Sequence, residues 1–294
     1  MILVRLNRSV WEMKFSCSVW RWISNPMPSG AARRVAFRVE YDGTGYSGWQ
    51  SQPNVPLTIQ NQLEIAVSDF VGCACPVQGA SRTDAGVHAR DQLAAVTIDH
   101  PASLDGFIKA VNVRLPAAIS VRAPREVTTN YNPRFENQGK TYLYRVYQSH
   151  QRRPLQDRWA WRLPWPLDTN RILAASDILV GTHDFTSFAA TDGSHKSTVR
   201  TLTQIQVETS KDGSLQFSIT GTAFMKNMVR IMIGTLVDVG RGRLTADEIA
   251  NILDARDRQT AGPTAPAHGL CLDRLYANFE GVNLPVSRTD NATD

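Results

Sequence analysis

A chain of 294 residues suits two modest domains or one large one. Its apolar share of 42% and charged share of 20% are ordinary for a globular protein, and no apolar run reaches the roughly 18 residues that a membrane-spanning helix needs. The net charge of +5 invites a nucleic-acid reading, but residues 1–34 hold six basic side chains against Glu12 alone and account for all of it. The body of the chain is balanced, so any nucleic-acid contact has to come from local clusters. Cys17, Cys73, Cys75 and Cys271 fit neither a zinc spacing nor a disulfide framework, which points to reduced structural thiols and a cytoplasmic protein.

Residues 1–26 hold three tryptophans and scattered arginines without a period. They read as a start-site artefact upstream of Met27 or a disordered tail; an organellar targeting peptide and an extension touching nucleic acid are the alternatives. Residues 1–34 are therefore set apart as an N-terminal extension. Val35, Phe37, Val39 and Tyr41 alternate with polar or small residues and predict a half-buried strand. Asp42 to Gln50 follows with three glycines, either a plain turn or a loop whose backbone approaches a ligand closely. Thr58 to Val71 predicts a helix with Ile59, Leu63, Val67 and Phe70 on one face and Gly72 as its stop.

Gly79-Ala80-Ser81-Arg82-Thr83-Asp84-Ala85-Gly86-Val87-His88-Ala89 is the unusual stretch. It mixes one carboxylate, an arginine, an imidazole and small residues, and reads as a loop that presents Asp84. Leu93 to Ile98 predicts a strand. Ser103 predicts the cap of a helix carrying Leu104, Phe107, Ile108, Val111 and Leu115 on one face, ended by Pro116, with a strand near Ile119 to Val121 beyond.

Residues 122–140 read as a connector and Thr141 to Gln148 as a strand. Between Arg134 and Arg162, seven basic residues interleave with Tyr142, Tyr144, Tyr147, Trp159 and Trp161, with Trp165 close behind. Such a pattern serves phosphate contact with base stacking, or a solvated face above an aromatic core. Asp168 caps a predicted helix that ends before Gly181. Two strands joined at Lys211-Asp212-Gly213 form a hairpin. Met225 to Val239 predicts a long apolar helix stopped by Gly240, with Lys226 and Arg230 on one face. Thr245 to Glu248 is a capping box, and Leu272 to Tyr276 predicts an edge strand.

Several chemistries are absent from the letters: no G-x-S-x-G elbow, no phosphate-binding glycine motif, no zinc-deaminase pattern and no histidine pair at metal-ligand spacing. A lone Asp84 remains, with Arg82 close by. A lone carboxylate can act as a nucleophile, and a guanidinium beside it would keep it ionised and oriented; equally, an Arg-Asp pair can simply pin a loop.

Six ordered blocks then carry a resemblance. Residues 79–89 resemble the R-T-D-A-G-V-H signature of the tRNA pseudouridine synthase A family. So do Glu40 to Gln50, Arg134-Phe135 with Lys140 to Tyr144, Gly181 to Phe188, Phe224 to Arg230 with Gly234, and Thr264 to Leu270, in the family's order over about residues 35–280. The resemblance implies an α+β fold of two similar mixed halves with largely antiparallel sheets flanking a central catalytic cleft. The halves are drawn at 35–130 and 131–282, with a tail at 283–294.

It also implies an isomerase that turns uridine into pseudouridine in the anticodon stem-loop of tRNA at positions 38, 39 and 40, as a homodimer, with no metal and no cofactor. Asp84 matches the nucleophile, Tyr142 the active-site tyrosine that stacks on the target base, and Arg230 a basic position paired with the nucleophile. Arg82 is expected on RNA phosphate or beside Asp84, and Arg134 in the substrate-binding region. A same-fold synthase acting on another RNA and a non-catalytic RNA-binding or chaperone protein are the alternative readings.

Overall fold

The first strand, β1 (Arg33–Tyr41), buries Val35, Phe37, Val39 and Tyr41 on one face of a sheet. The computed structural model describes residues 32–55, 57–193 and 196–277 of the chain. The expected tail 283–294 and most of the expected N-terminal extension lie outside these residues. β1 nevertheless starts two residues before the predicted boundary at 35. Arg34 is the reason: its guanidinium is buried and donates to Tyr131 O at 2.6 Å, Thr97 Oγ1 at 3.0 Å and Gln78 Oε1 at 2.5 Å.

The remaining elements follow in order. The first group is α1 (Ile59–Val71), β2 (Val77–Gly79), β3 (His88–Ile98), α2 (Leu104–Arg114) and β4 (Ile119–Val127). The second is β5 (Asn137–Gln148), α3 (Pro154–Asp157), β6 (Trp161–Leu163), α4 (Thr169–Leu179), β7 (Gly181–Asp184), β8 (Val199–Thr209) and β9 (Leu215–Gly221). The third is α5 (Met228–Gly240), α6 (Asp247–Ala255) and β10 (Leu270–Ala277).

Ten strands form one mixed, mostly antiparallel sheet in the order β4-β1-β3-β10-β5-β9-β8-β7, with β2 on β3 and β6 on β5. The fold class is the expected α+β, with the strands of the two halves fused into a single sheet. β10 makes the fusion. It runs antiparallel to β5 and pairs in parallel with β3 at Cys271↔His88 and Leu272↔Ala89. The prediction of an edge strand at Leu272 to Tyr276 is therefore corrected: this strand is central. Leu272 and Leu275 have no exposed surface, and both of its backbone edges are occupied. A short apolar segment at the end of a chain carries no mark of which strands will flank it.

The helical caps follow their local chemistry. Asn61 N–H donates to Thr58 Oγ1 at 3.2 Å, Gly106 N–H to Ser103 Oγ at 3.1 Å, and Asn170 N–H to Asp168 Oδ1 at 3.0 Å. Gly72 ends α1 at φ +85°. The capping box before α6 forms by half. Glu248 reaches back to accept from Thr245 N–H at 2.7 Å, but the Thr245 hydroxyl donates to the same carboxylate instead of accepting from the helix.

The long apolar helix starts later than predicted. Asn227 takes a left-handed conformation at φ +59°, and α5 begins at Met228. This removes Lys226 from the face of Arg230; Lys226 pairs with Asp192 at 2.6 Å. The predicted connector also shortens, because β4 continues to Val127 and β5 begins at Asn137. Among the described residues no helix is long and apolar enough to cross a membrane.

Candidate active site

Asp84 sits in the loop between β2 and β3, where that loop is packed against the glycine-rich turn after β1. The contact is backbone on backbone. Trp49 N–H donates to Thr83 O at 3.0 Å, and Gly86 N–H to Tyr46 O at 3.2 Å. A Cβ on Gly43 would lie 2.1 Å from Val87 O, and one on Gly48 would lie 2.6 Å from Thr83 O at a φ of +91°. The glycines of residues 42–50 are thus required for close approach, but what they approach is the Asp84 loop.

The loop is pinned at three further points. The Tyr41 and Thr83 hydroxyls share a hydrogen bond at 2.8 Å. Ser81 N–H donates to Gln92 Oε1 at 3.1 Å while Gln92 Nε2 donates back to Ser81 O at 2.6 Å. Gly43 N–H donates to His88 Nδ1 at 3.1 Å, and His88 Nε2–H to His268 O at 3.1 Å. Asp42 Oδ1 also lies 3.1 Å from His88 Nδ1. Burial pulls the imidazole pKa below its ordinary value despite this carboxylate, and the two hydrogen bonds are those of a neutral ring protonated on Nε2. His88 therefore ties the turn after β1 to the 264–270 segment across the base of the loop.

Arg230 supplies the cation to Asp84. Its Nη1 donates to Asp84 Oδ2 at 3.2 Å and to Asn227 Oδ1 at 2.8 Å, while Nε donates to Ala265 O at 2.7 Å. Ala265 N–H in turn donates to Arg230 O at 3.0 Å. The guanidinium is fixed by Asn227 at the start of α5 and by the 264–270 segment, with Nη1 shared between Asn227 and the carboxylate. Side-chain exposures of 17% for Arg230 and 28% for Asp84 place the pair at the rim of the interior, where a partner can still reach the carboxylate.

Arg82 does not take this place. It is exposed, and among the described residues no carboxylate lies within ion-pairing distance of it. Residues 81–87 form no regular strand, so a spacing of two residues from Asp84 does not bring Arg82 onto it.

Tyr142, on β5, presents its hydroxyl to the same loop, 3.1 Å from Ser81 Oγ. Its ring meets Phe224 edge-on, with centroids 5.2 Å apart and planes at 86°. Burial, with the Asp84 charge adding to it, pushes the phenol up to about 12, so it is neutral at physiological pH. Lys140, two residues earlier on the same face of β5, donates to Ser81 Oγ at 3.2 Å. Burial first, and the nearby Arg134 charge second, pull its ammonium down to about 8.

Arg134 itself is exposed, its guanidinium 6.0 Å from the Phe135 ring centroid. It lies in the segment before β5, and neither a hydrogen bond nor an ion pair joins it to Asp84. Ser81, Gln92, Lys140 and Phe224 escaped the sequence reading. Lys140 did carry a signal: a lysine two residues from an inward-facing tyrosine on a strand has to face inward as well.

The basic aromatic stretch from Arg134 to Trp165 resolves in favour of an aromatic core. Tyr144 and Tyr147 are fully buried, and Tyr144 O–H donates to Pro266 O at 2.8 Å. Arg152, Arg153 and Arg158 pair with Asp157, Asp212 and Asp42. Trp159 remains partly open, against His88 at 4.7 Å and beside a cavity of about 710 Å³ that Asp42, Arg145, Arg158 and Cys271 also line. Asp84 is not on the wall of that cavity. Among the described residues no group of three His, Cys, Asp or Glu side chains could hold a metal ion.

The fold and site thus define a class: an α+β protein with one guanidinium-held carboxylate on a loop clamped between two halves of a sheet. A family model described as tRNA pseudouridine synthase matches residues 38–136 and 175–276. A tRNA pseudouridine synthase A of Myxococcus xanthus is 38% identical over 262 residues, spanning 89% of this chain and 98% of the relative. One from Geobacter sp. (strain M21) is 40% identical over 245 residues, 83% of this chain and 98% of its own length. A tRNA pseudouridine synthase A 2 of Clostridium tetani (strain Massachusetts / E88) is 40% identical over 248 residues, 84% of this chain and 100% of its own length. The chain belongs to the tRNA pseudouridine synthase family, and it resembles the A-type enzymes over 83% to 89% of its length.

Proposed function

We propose that this protein isomerises uridine to pseudouridine in the anticodon stem-loop of tRNA, at positions 38, 39 and 40, with Asp84 as the nucleophile. The observation that carries the reading is the Arg230–Asp84 pair at 3.2 Å, in which a rigidly held guanidinium orients the one carboxylate that the Ser81–Val87 loop presents. A uridine inside a stem is out of reach of any side chain, so the target nucleotide has to be flipped out, at a cost of a few kcal/mol.

Asp84 then attacks the target nucleotide, and the N1–C1′ bond breaks. The freed uracil turns and rejoins the ribose through C5, the bond to Asp84 breaks and returns the free carboxylate, and C5 gives up its proton while N1 gains one. Tyr142, neutral and braced edge-on by Phe224, offers a ring face to the base, and stacking of this kind contributes roughly 1–3 kcal/mol. The exposed guanidiniums of Arg82 and Arg134 are read as phosphate contacts. The working unit is read as a cytoplasmic homodimer on the strength of the family resemblance.

The test is tritium release from C5-labelled uridine in tRNA, with pseudouridine mapping of the product. Wild-type protein is expected to release tritium and to modify the three anticodon-arm positions, and Asp84→Asn to do neither while binding tRNA. Turnover by a folded Asp84→Asn protein would falsify the nucleophile assignment. Modification confined to other RNAs would overturn the substrate.

A further inference from the structure

Lys140 is buried in the wall of the candidate site with no carboxylate partner. The residue is 9% exposed, and its hydrogen bond runs to a neutral hydroxyl, Ser81 Oγ, at 3.2 Å. No carboxylate among the described residues forms an ion pair with it. An ammonium taken out of water with one of three donors used is unfavourable, and such groups are kept out of interiors unless they serve something there. Ser81 Oγ has a second partner, the Tyr142 hydroxyl at 3.1 Å. Lys140 Nζ, Ser81 Oγ and Tyr142 Oη are therefore a continuous chain ending at the residue read as meeting the target base.

The geometry of the middle member is fixed. The Ser81 backbone is held on both sides by the Gln92 amide, at 3.1 and 2.6 Å, and Gln92 is fully buried. Only the hydroxyl proton is free to choose a direction. If Nζ carries its full charge it can only donate, so Ser81 Oγ accepts from it, the Ser81 proton points to Tyr142 and the phenol proton turns outward. If Nζ is an uncharged amine it can accept from Ser81. Ser81 Oγ then accepts from Tyr142 and the phenol turns a lone pair outward.

We propose that Lys140 is a positioning residue for pseudouridine formation: acting through Ser81, it sets whether the Tyr142 hydroxyl meets the bound uracil as a donor or as an acceptor. This rests on the function proposed above. The acceptor form is the productive one, because the ring carbon that rejoins the ribose has to release its proton.

Burial places the titration of Lys140 near pH 8, inside the range where the direction can switch. Arg134 drives the proton off; the flanking strands set uncharged Gly221 and Leu275 opposite it; Asp84 is taken up by Arg230; the Tyr276 hydroxyl bonds to Thr141; Arg82 is exposed.

The test is the single-turnover rate on saturating tRNA between pH 6.5 and 9.5 for wild type, Lys140→Met and Ser81→Ala, with tRNA affinity measured in parallel. Wild type is expected to speed up through about pH 8. Both variants are expected to lose that rise and to run about tenfold slower on its high plateau, with affinity for tRNA within about twofold of wild type. A Ser81→Ala protein that keeps the wild-type rise and rate overturns the proposal, and this small substitution decides the matter if Lys140→Met does not fold.

A second readout needs no activity. In the free protein, the Tyr142 ring-carbon resonance should titrate with the Lys140 ammonium in wild type and stop doing so in Ser81→Ala. Joint titration that survives Ser81→Ala overturns the chain. Absence of pseudouridine from every tRNA treated with wild type would overturn the proposed function while leaving this coupling measurable.

Discussion

The two halves of the sheet supply the site with different materials. From the N-terminal half comes a loop, shaped almost entirely by backbone. Residues 42–49 pack against residues 83–88 so tightly that glycine is needed at positions 43 and 48, and hydrogen bonds from Trp49, Gly86 and Gly43 lock the two segments together. From the C-terminal half come side chains rooted in regular elements: Lys140 and Tyr142 on β5, and Arg230 in the first turn of α5. A strand or helix fixes the origin of a side chain far better than a loop does, so the groups that orient are on elements and the group that is oriented is on the loop. β10, central between β3 and β5, holds the two sets of residues in one frame.

This division of labour can be broken from either side. The largest effect is expected from the loop's carboxylate: Asp84→Asn should lower turnover by at least ~10⁴-fold with little change in melting temperature, since a covalent step has no substitute. Tritium release at saturating tRNA measures it. Next comes the backbone contact that holds the loop. Gly43→Ala drives a methyl group into Val87 O, and neither side of the contact is a flexible side chain. A loss of about 2 kcal/mol or more in denaturant unfolding is expected, together with a fall in activity. A fully stable and active variant would show that the two segments can part without harm.

From the other half, Arg230→Ala removes an oriented guanidinium and should reduce turnover about 10²-fold. Arg230→Lys should recover little of this, because a point charge cannot hold Asn227, Ala265 and Asp84 together. Tyr142→Phe keeps the ring against Phe224 and should preserve tRNA affinity, whereas Tyr142→Ala should weaken it by ~1 kcal/mol or more in a binding titration. Equal effects of the two would remove stacking from the account.

The smallest effect concerns stability alone. Lys140 titrates near 8 when folded and at its ordinary 10.5 when unfolded, so the unfolded chain holds more protons between those values and wild-type stability gains with rising pH across that window. Lys140→Met lacks this term. At pH 7 it should be the more stable protein by on the order of 3 kcal/mol, and its advantage should shrink as the pH rises toward 10.5. Parallel denaturation curves at pH 7 and 10 measure this; an advantage that does not change with pH would mean that Lys140 keeps its ordinary ammonium pKa in the native state.

Much of this was legible in the chain. The caps at Thr58, Ser103 and Asp168 and the stop at Gly72 are local signals, and each formed as read because neighbours in sequence decide them; the period-2 pattern at Val35, Phe37, Val39 and Tyr41 marked the strand but not its burial, since Ala36 and Arg38 on the other face are covered too. The Asp84 loop stood out by composition, and the ordered blocks tied it to a family. Other readings failed for want of tertiary information. Tyr144 and Tyr147 of the basic aromatic stretch point into the core, because a strand's alternation does not say which face will be covered. The last strand went to the centre, because chain order does not set sheet order. Lys226 left its helix because Asn227 adopts a left-handed turn just before it.

What the sequence determined by itself is the chemistry on offer: a solitary carboxylate among small residues, a tyrosine on a strand, an arginine near the start of an apolar helix, and the glycines that let two backbones touch. What only the tertiary structure decided is which of these meet. Arg82, two residues from Asp84, is turned out to solvent, while Arg230, 146 residues away, holds it at 3.2 Å. Spacing along an irregular loop fixes no direction in space, whereas the packing of α5 and the 264–270 segment around a shared sheet does. The same packing gathers Lys140, Ser81 and Tyr142 into a chain of hydrogen bonds that no linear motif records.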